Sequence, residues 1–217
     1  MAFIQEEDKD EIREQIGELT NDVKIVVFTQ DENCQYCQET AAIVEELSQL
    51  NDKIRFEKYD IEVNSDIAAK FGIKRAPAIV VMNGKDYGIR YYGIPAGYEF
   101  VSLMNAVKNV GTSSTELSNE TVDKLSQIKS PVHIQVFVTP SCPYCPTAVV
   151  LSHQFAMVND LITADAIEAS EFPELALEYN VRGVPRIVVN ETHHFEGALP
   201  EEWFADEVVK AVTEGGI

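Results

Sequence analysis

The sequence predicts an α/β protein built from two tandem copies of one unit, each a central mixed β-sheet flanked by helices. Three observations carry that prediction. The chain repeats itself at a fixed offset, each copy alternates helical and strand periodicity, and each copy holds one Cys-x-x-Cys pair at the same place in that alternation. The offset is 108 residues: Cys34 recurs as Cys142, Tyr36 as Tyr144, Cys37 as Cys145 and Pro77 as Pro185. The segment "IKRAP" (73–77) falls in the same way on "VRGVP" (181–185). A chain of 217 residues holds two such units, and the polar stretch "NVGTSSTELS" (109–118) is the natural boundary, giving units 1–115 and 116–217.

Each element has its own signal. An amphipathic helix is expected near 8–19, with Asp8 and Glu11 placed for a capping-box-like start; its counterpart lies near 118–129 with Ser118 as N-cap. The apolar runs "KIVVFT" (24–29) and "VHIQVFV" (132–138) suit buried strands. Each Cys pair then leads into a helix, marked in the first half by Ala42, Ile43, Leu47 and Leu50. In the second half Val149, Phe155, Met157 and Val158 make that helix apolar all round, which implies that the other half covers it. A second strand (54–60; 161–167) and a short helix (65–71; 173–179) follow. After each repeated proline come a strand ("AIVVM"; "RIVV"), a turn ("NGKD", 83–86; "NET", 190–192) and another strand, the pattern of a β-hairpin. A last helix closes each half, near 97–109 and 201–213.

Composition narrows the function. With 36 acidic against 17 basic residues the net charge is −19, which argues against tracking nucleic-acid phosphates and against docking on anionic membranes. The opening residues, "MAFIQEEDKDEI", lack a basic region followed by an apolar run, and nowhere are there 18 consecutive apolar residues. A soluble, cytoplasmic protein is therefore expected. In a reducing compartment a Cys-x-x-Cys pair points to catalysis or metal binding rather than to a structural staple.

Thiolate is the species that attacks a disulfide, and a helix N-terminus favours thiolate by its dipole and free N–H groups. Cys34 and Cys142, nearer the exposed end, are the expected attacking thiols; Cys37 and Cys145, one turn along, are the resolving ones. A shared zinc site is the competing use of four thiolates. Zinc ribbons space their pairs roughly 15–20 residues apart, whereas here each pair belongs to its own repeat, so no metal ligand is assigned. Disulfides closing four residues would constrain little of the unfolded chain. No cofactor is expected beyond the redox-active disulfides. Ala76–Pro77 and Val184–Pro185 are expected to be cis and to shape the floor of each site, and Tyr36 and Tyr144 to flank the substrate.

The succession of strand, Cys-x-x-Cys, helix and a later proline before a β-hairpin resembles the thioredoxin fold. Two such units, the first with CQYC and the second with CPYC, closely resemble the archaeal-type protein disulfide oxidoreductases, also called glutaredoxin-like proteins, over essentially all 217 residues. The stretches "YYGIPAGYEF" (91–100) and "VFVTPSCPYCPTAV" (136–149) carry the likeness. The resemblance implies exchange on protein disulfides by Cys34, Cys37, Cys142 and Cys145, cis Pro77 and Pro185, protein substrates, and a flavoprotein thioredoxin reductase as electron donor. Two related activities share the motif. A glutathione-dependent glutaredoxin is disfavoured because "EGALP" (196–200) stands where glutaredoxins place a Gly-Gly-type turn; an electron shuttle to a peroxidase resembles a version with one functional pair. One departure stands out: the acidic residue that many thioredoxins bury six positions before the first cysteine is replaced by Phe28 and Val136, so proton transfer needs another group or water.

The two sites are not expected to be equals. Asp31, Glu32 and Glu39 surround Cys34, while no acid lies within three residues of Cys142 and Pro143 suits a helix start. Cys142 is therefore expected to be the more acidic thiol and the more active one. His133 and His153 are each expected to be simply exposed, the alternative being a place close to Cys142.

Overall fold

The computed structural model describes residues 3–214; Met1 and Ala2, which begin the opening stretch read above, and residues 215–217 lie outside them. A 3-10 turn (Glu6–Asp8) opens the first half, followed by α1 (Lys9–Ile16), β1 (Val23–Thr29), α2 (Cys37–Ser48), β2 (Ile54–Asp60), α3 (Ser65–Lys70), β3 (Ala78–Met82), β4 (Asp86–Tyr92) and α4 (Glu99–Thr112). The second half repeats the order with α5 (Asn119–Ser126), β5 (Val132–Val138), α6 (Cys145–Val158), β6 (Ile162–Glu168), α7 (Pro173–Glu178), β7 (Arg186–Val189), β8 (His193–Glu196) and α8 (Glu201–Glu214).

The two expected sheets are fused into one. The strand order is β2-β1-β3-β4-β6-β5-β7-β8, and the join is a parallel pairing of β4 with β6, from Ile89 opposite Ala164 to Tyr92 opposite Ile167. The reason is visible in the strands. Five consecutive residues of β4, Gly88 to Tyr92, are buried, and an edge strand of that length invites pairing through its free N–H and C=O groups. Its counterpart β8 has four residues that alternate between half-buried and exposed, and it remains an edge.

Side chains alternate across the sheet and fill two layers. Ile25, Val27, Ile134 and Val136 pack with α1, α2, α4, α5, α6 and α8; Val26, Phe28, Val80 and Phe137 pack with α3 and α7 on the opposite face. Helix α6 is buried on most sides, packing on β5, β6 and α5 of its own half and on β4 and α4 of the other, with Phe155 edge-on to Phe204 at 5.4 Å. The cover expected from its apolar sequence is thus supplied by the first half.

Register corrects the repeat in one place. Val23 pairs with Ile54 and Val132 with Ile162, so β1 and β5 superpose at an offset of 109, whereas the cysteines repeat at 108. The loop from strand to first cysteine is one residue longer in the first half. The structural counterpart of Phe28 is therefore Phe137, not Val136, and both phenylalanines are fully buried on the same face.

Two local expectations also change. Asp8 makes no capping bond, because the turn before α1 holds it in helical rather than extended conformation; Ser118 does cap α5, accepting the Thr121 N–H at 3.2 Å. Residues 109–112 belong to α4 and not to the linker. Gly111 allows this, since a Cβ there would lie 2.7 Å from Leu19, and its carbonyl accepts the Thr20 and Asn21 N–H groups at 3.0 and 2.8 Å. Residues 113–118 make the connection, beginning with Ser113 in the left-handed region.

Candidate active site

Both Cys-x-x-Cys pairs stand where a buried parallel strand ends and a helix begins. Hydrophobic burial of β1 and β5 fixes the strand, and the second cysteine of each pair is the first helical residue. Each pair forms its own disulfide, Cys34–Cys37 and Cys142–Cys145, with Cα atoms 5.5 Å apart in both. The resolving sulfurs are the deeper ones: Cys37 and Cys145 are 3% and 0% exposed, Cys142 is 8% exposed and Cys34 is half-buried. Ala76–Pro77 and Val184–Pro185 are both cis. Behind each proline the hairpin is tied by one bond, Gly93 N–H to Pro77 C=O and Gly197 N–H to Pro185 C=O, each 3.0 Å.

The second site brings Cys142 Sγ to 3.7 Å from the Val184 carbonyl oxygen, so the attacking sulfur lies beside the backbone that precedes the proline. In the first site the Gln30 N–H donates to Cys37 Sγ at 3.2 Å. The longer loop there includes Asn33, at φ 58°, a conformation asparagine tolerates better than most residues. Tyr144 is exposed, whereas Tyr36 is half-buried with its hydroxyl accepting from the Gln35 amide at 3.0 Å.

Between the sites runs the loop 93–98, "GIPAGY". Tyr98 N–H donates to the Pro140 carbonyl at 3.0 Å, two residues before Cys142, and Ile94 N–H donates to Glu171 Oε1 at 2.6 Å. Three acids lie at this seam. Glu99 is fully buried; Ser102 donates to one carboxyl oxygen at 2.8 Å while the other is buried without a partner, and burial pushes its pKa up to about 7. Glu171 is also raised to about 7, by burial and by the charges of Glu168 and Glu39, against the bond from Ile94. Glu168, 3% exposed, accepts from the Glu171 N–H and the Ser170 hydroxyl. The hydroxyl of Tyr91 is buried there without a partner.

Sequence reasoning did not find these acids. The available signal was an acidic residue inside apolar text, Glu99 in "YYGIPAGYEF" and Glu168 in "ADAIEAS". Both histidine expectations also change. His153 is buried in α6, its Nε2 3.2 Å from the Arg90 carbonyl and its Nδ1 unpartnered, and burial lowers its pKa to about 4. His133 is partly buried and its ring lies 2.7 Å from the Asp165 carboxylate. Among the described residues no group of three or more His, Cys, Asp or Glu is arranged to hold a metal, and no helix is long and apolar enough to cross a membrane.

Known proteins share this geometry. Residues 4–106 match the thioredoxin family and residues 132–210 a thioredoxin domain family. The chain is 24% identical over 172 residues to an NADH dehydrogenase of Bacillus subtilis and 24% identical over 191 residues to the F component of alkyl hydroperoxide reductase from Escherichia coli. It covers 79% and 88% of its own length in those matches but spans only 31% and 34% of those curated relatives. A protein disulfide oxidoreductase from Aeropyrum pernix superposes with a TM-score of 0.89 and 32% identity, over 97% of this chain and 94% of that one. With two thioredoxin domains in tandem, a Cys-x-x-Cys disulfide in each, and that identity over nearly the whole length of both proteins, the chain belongs to the protein disulfide oxidoreductases.

Proposed function

We propose that this protein exchanges dithiols for disulfides on protein substrates, through Cys34/Cys37 in unit 1–115 and Cys142/Cys145 in unit 116–217. The observation that carries the reading is the pair of self-closed disulfides at strand-to-helix junctions, each with its first sulfur the more accessible. In the reducing direction the thiolate of Cys142 attacks a substrate disulfide, forms a mixed disulfide and releases one substrate thiolate. The thiolate of Cys145 then attacks Cys142 Sγ and releases the second. Two electrons pass to the substrate, and the protons leaving the two cysteines balance the two substrate thiols. Oxidation of a substrate dithiol is the same sequence reversed.

Phe28 and Phe137 fill the place where related proteins bury an acid, so another group takes the proton of the resolving thiol. Glu99 suits that role: it is buried, one carboxyl oxygen is free, it titrates near neutrality, and Tyr98 beside it is bonded to the Cys142 loop. Ala76, Pro77, Val184 and Pro185 shape the substrate floor, and Tyr36 and Tyr144 flank it. Beside Pro146, a groove lined by Val101, Val150, Leu151, Leu199 and Pro200 offers apolar surface to an unfolded or extended substrate. Re-reduction requires a donor, for which a thioredoxin reductase-like flavoprotein in the cytoplasm fits the dithiol chemistry.

The test is dithiothreitol-driven reduction of insulin by the wild type, Cys34→Ser and Cys142→Ser. Turnover by the wild type that falls in the variants supports the reading; an inert wild type rejects it. A second reading, electron delivery to a peroxidase, is favoured by the match to the alkyl hydroperoxide reductase component over 88% of this chain. It predicts NADH-dependent peroxide reduction when the protein is placed between a flavoprotein reductase and a cysteine peroxidase.

A further inference from the structure

Helices α3 and α7 cover the outer strands of one sheet face and leave a crevice of about 250 Å³ over the middle, where β4, β6 and β5 lie side by side. Its floor is polar. Arg90, Asp165 and Gln135 form one row across the three strands, each residue opposite the next, and are 7%, 9% and 5% exposed. A covered sheet face normally carries apolar side chains, because a buried polar group without a partner is costly.

Among the charged side chains that line the crevice, Arg90, Lys74 and Arg75 outnumber the one carboxylate, Asp165. Arg90 is held by two bonds to Asp86, at 2.8 and 2.7 Å, and one to the Phe71 carbonyl at 3.0 Å. Asp165 is paired with His133. Lys74 and Arg75 remain, both exposed at the rim and near enough for their charges to act on His133 and Tyr92. Glu191 reaches His133 from the β7–β8 turn. At the bottom, the Gln135 side-chain amide nitrogen is buried and has no hydrogen-bond partner. Two free cations above an unused N–H donor, in a protein with net charge −19, form the complement of a small anion.

We propose that this crevice binds a small oxyanion, a phosphate or carboxylate group, with Gln135 donating from the floor and Lys74 and Arg75 closing on it from the rim. The volume admits the anionic group itself or the end of a larger molecule that projects from the mouth. Lys74 and Arg75 immediately precede Ala76–Pro77, so the ligand would sit behind the first redox site without touching its sulfurs.

The test titrates the full chain with sodium phosphate, and separately with sodium malonate, against sodium chloride of matched ionic strength. Heat of binding and the Gln135 side-chain amide NMR signal are the readouts. Saturable binding of either anion that shifts that signal supports the site, and which of the two saturates identifies the preferred group. The exposed double variant Lys74→Ala/Arg75→Ala should weaken binding by at least about tenfold while leaving the fold intact. Absence of saturation with both anions, equal affinity in the double variant, or an unmoved Gln135 signal would each overturn the proposal.

Discussion

Glu99 and Glu201 open the last helix of their respective units, the same station in two copies of one plan, yet their surroundings are opposite. Glu201 is half-exposed; burial works to raise its pKa, but hydrogen bonds from Thr121 and Ser118 outweigh it and the carboxyl is lowered. Glu99 is sealed in the seam between the halves and rises to about 7. The same divergence runs through the redox sites. The loop before Cys142 is clasped by Tyr98 of the first half, whereas the loop before Cys34 carries an additional residue and exposed Asp31 and Glu32. Duplication produced two similar sites, and fusion through β4 and β6 made one of them interfacial. The loop of the second site is held by a residue of the first unit; among the described residues no backbone bond from the second unit holds the loop before Cys34.

That contrast can be broken first at Glu99. Its folded pKa lies above the usual 4.5, so the folded state holds the proton more tightly than the unfolded chain does. The associated stability is fully present below pH 4.5 and is lost as pH rises through 7. Urea unfolding at pH 5 and pH 8 should show a loss about 3 kcal/mol larger in the wild type than in Glu99→Gln. Glu171 is shifted in the same direction and leaves a residual slope in the variant. Identical pH profiles for the two proteins would mean that the seam carboxyl does not titrate as the geometry implies. His153 acts at the acid end: with its pKa lowered to about 4 it favours the fold above pH 6.5, and that contribution is lost as pH falls through 4.

The clasp itself can be broken at Gly97. A Cβ there would overlap the Pro140 carbonyl oxygen, and φ is 58°, so Gly97→Ala should cost about 2–3 kcal/mol and loosen the Cys142 loop. Gly197, in the turn after β8, has open space around a Cβ and φ 89°; Gly197→Ala should cost about 1 kcal/mol from backbone strain alone. Thermal unfolding of the two variants gives the difference directly, and equal losses would deny the clasp any special role.

In insulin reduction, Cys142→Ser should lower the rate by about tenfold and Cys34→Ser by less than about threefold, because Asp31, Glu32 and Glu39 flank Cys34 in the chain and no acid lies within three residues of Cys142. Equal losses would retire the asymmetry. The smallest effect sharpens its origin. Glu39 lies in the first turn of α2, whereas α6 has no acid there, so Glu39→Gln should lower the Cys34 thiol pKa by a few tenths of a unit. The gap between the two sites is narrowed by Val184, whose carbonyl beside Cys142 Sγ favours the neutral thiol. Alkylation rate against pH on each single-site protein measures both values.

Much of this architecture is readable in the sequence because its signals are local. Periodicity locates β1, β2, β3, β5, β6 and β7 within a residue, since alternation with burial is a property of a few neighbouring residues. The spacing of cysteines and prolines locates both sites for the same reason. The failures are non-local. Asp8 has the right type for a cap but the wrong backbone, and Gly111 looks like a linker until Leu19 and Val23 are seen to require a side chain that small. His153 reads as exposed because its residue type is polar; the apolar text of its helix implies cover by the other half, but only the structure shows that this cover, β4 and α4, extends over His153.

The sequence by itself determined a duplicated α/β unit with a Cys-x-x-Cys pair and a proline in each copy, because spacing along the chain records which chemistry each unit carries. Tertiary structure alone decided that the two sheets become one, that Glu99, Glu168 and Glu171 gather at the seam, and that Arg90, Asp165 and Gln135 align across three strands. Those arrangements depend on which edge strand finds a partner, and on how far burial then shifts a charge. Arg90 meets Asp165 and the His153 ring, the latter 63 positions away in the chain, across the pairing of β4 with β6.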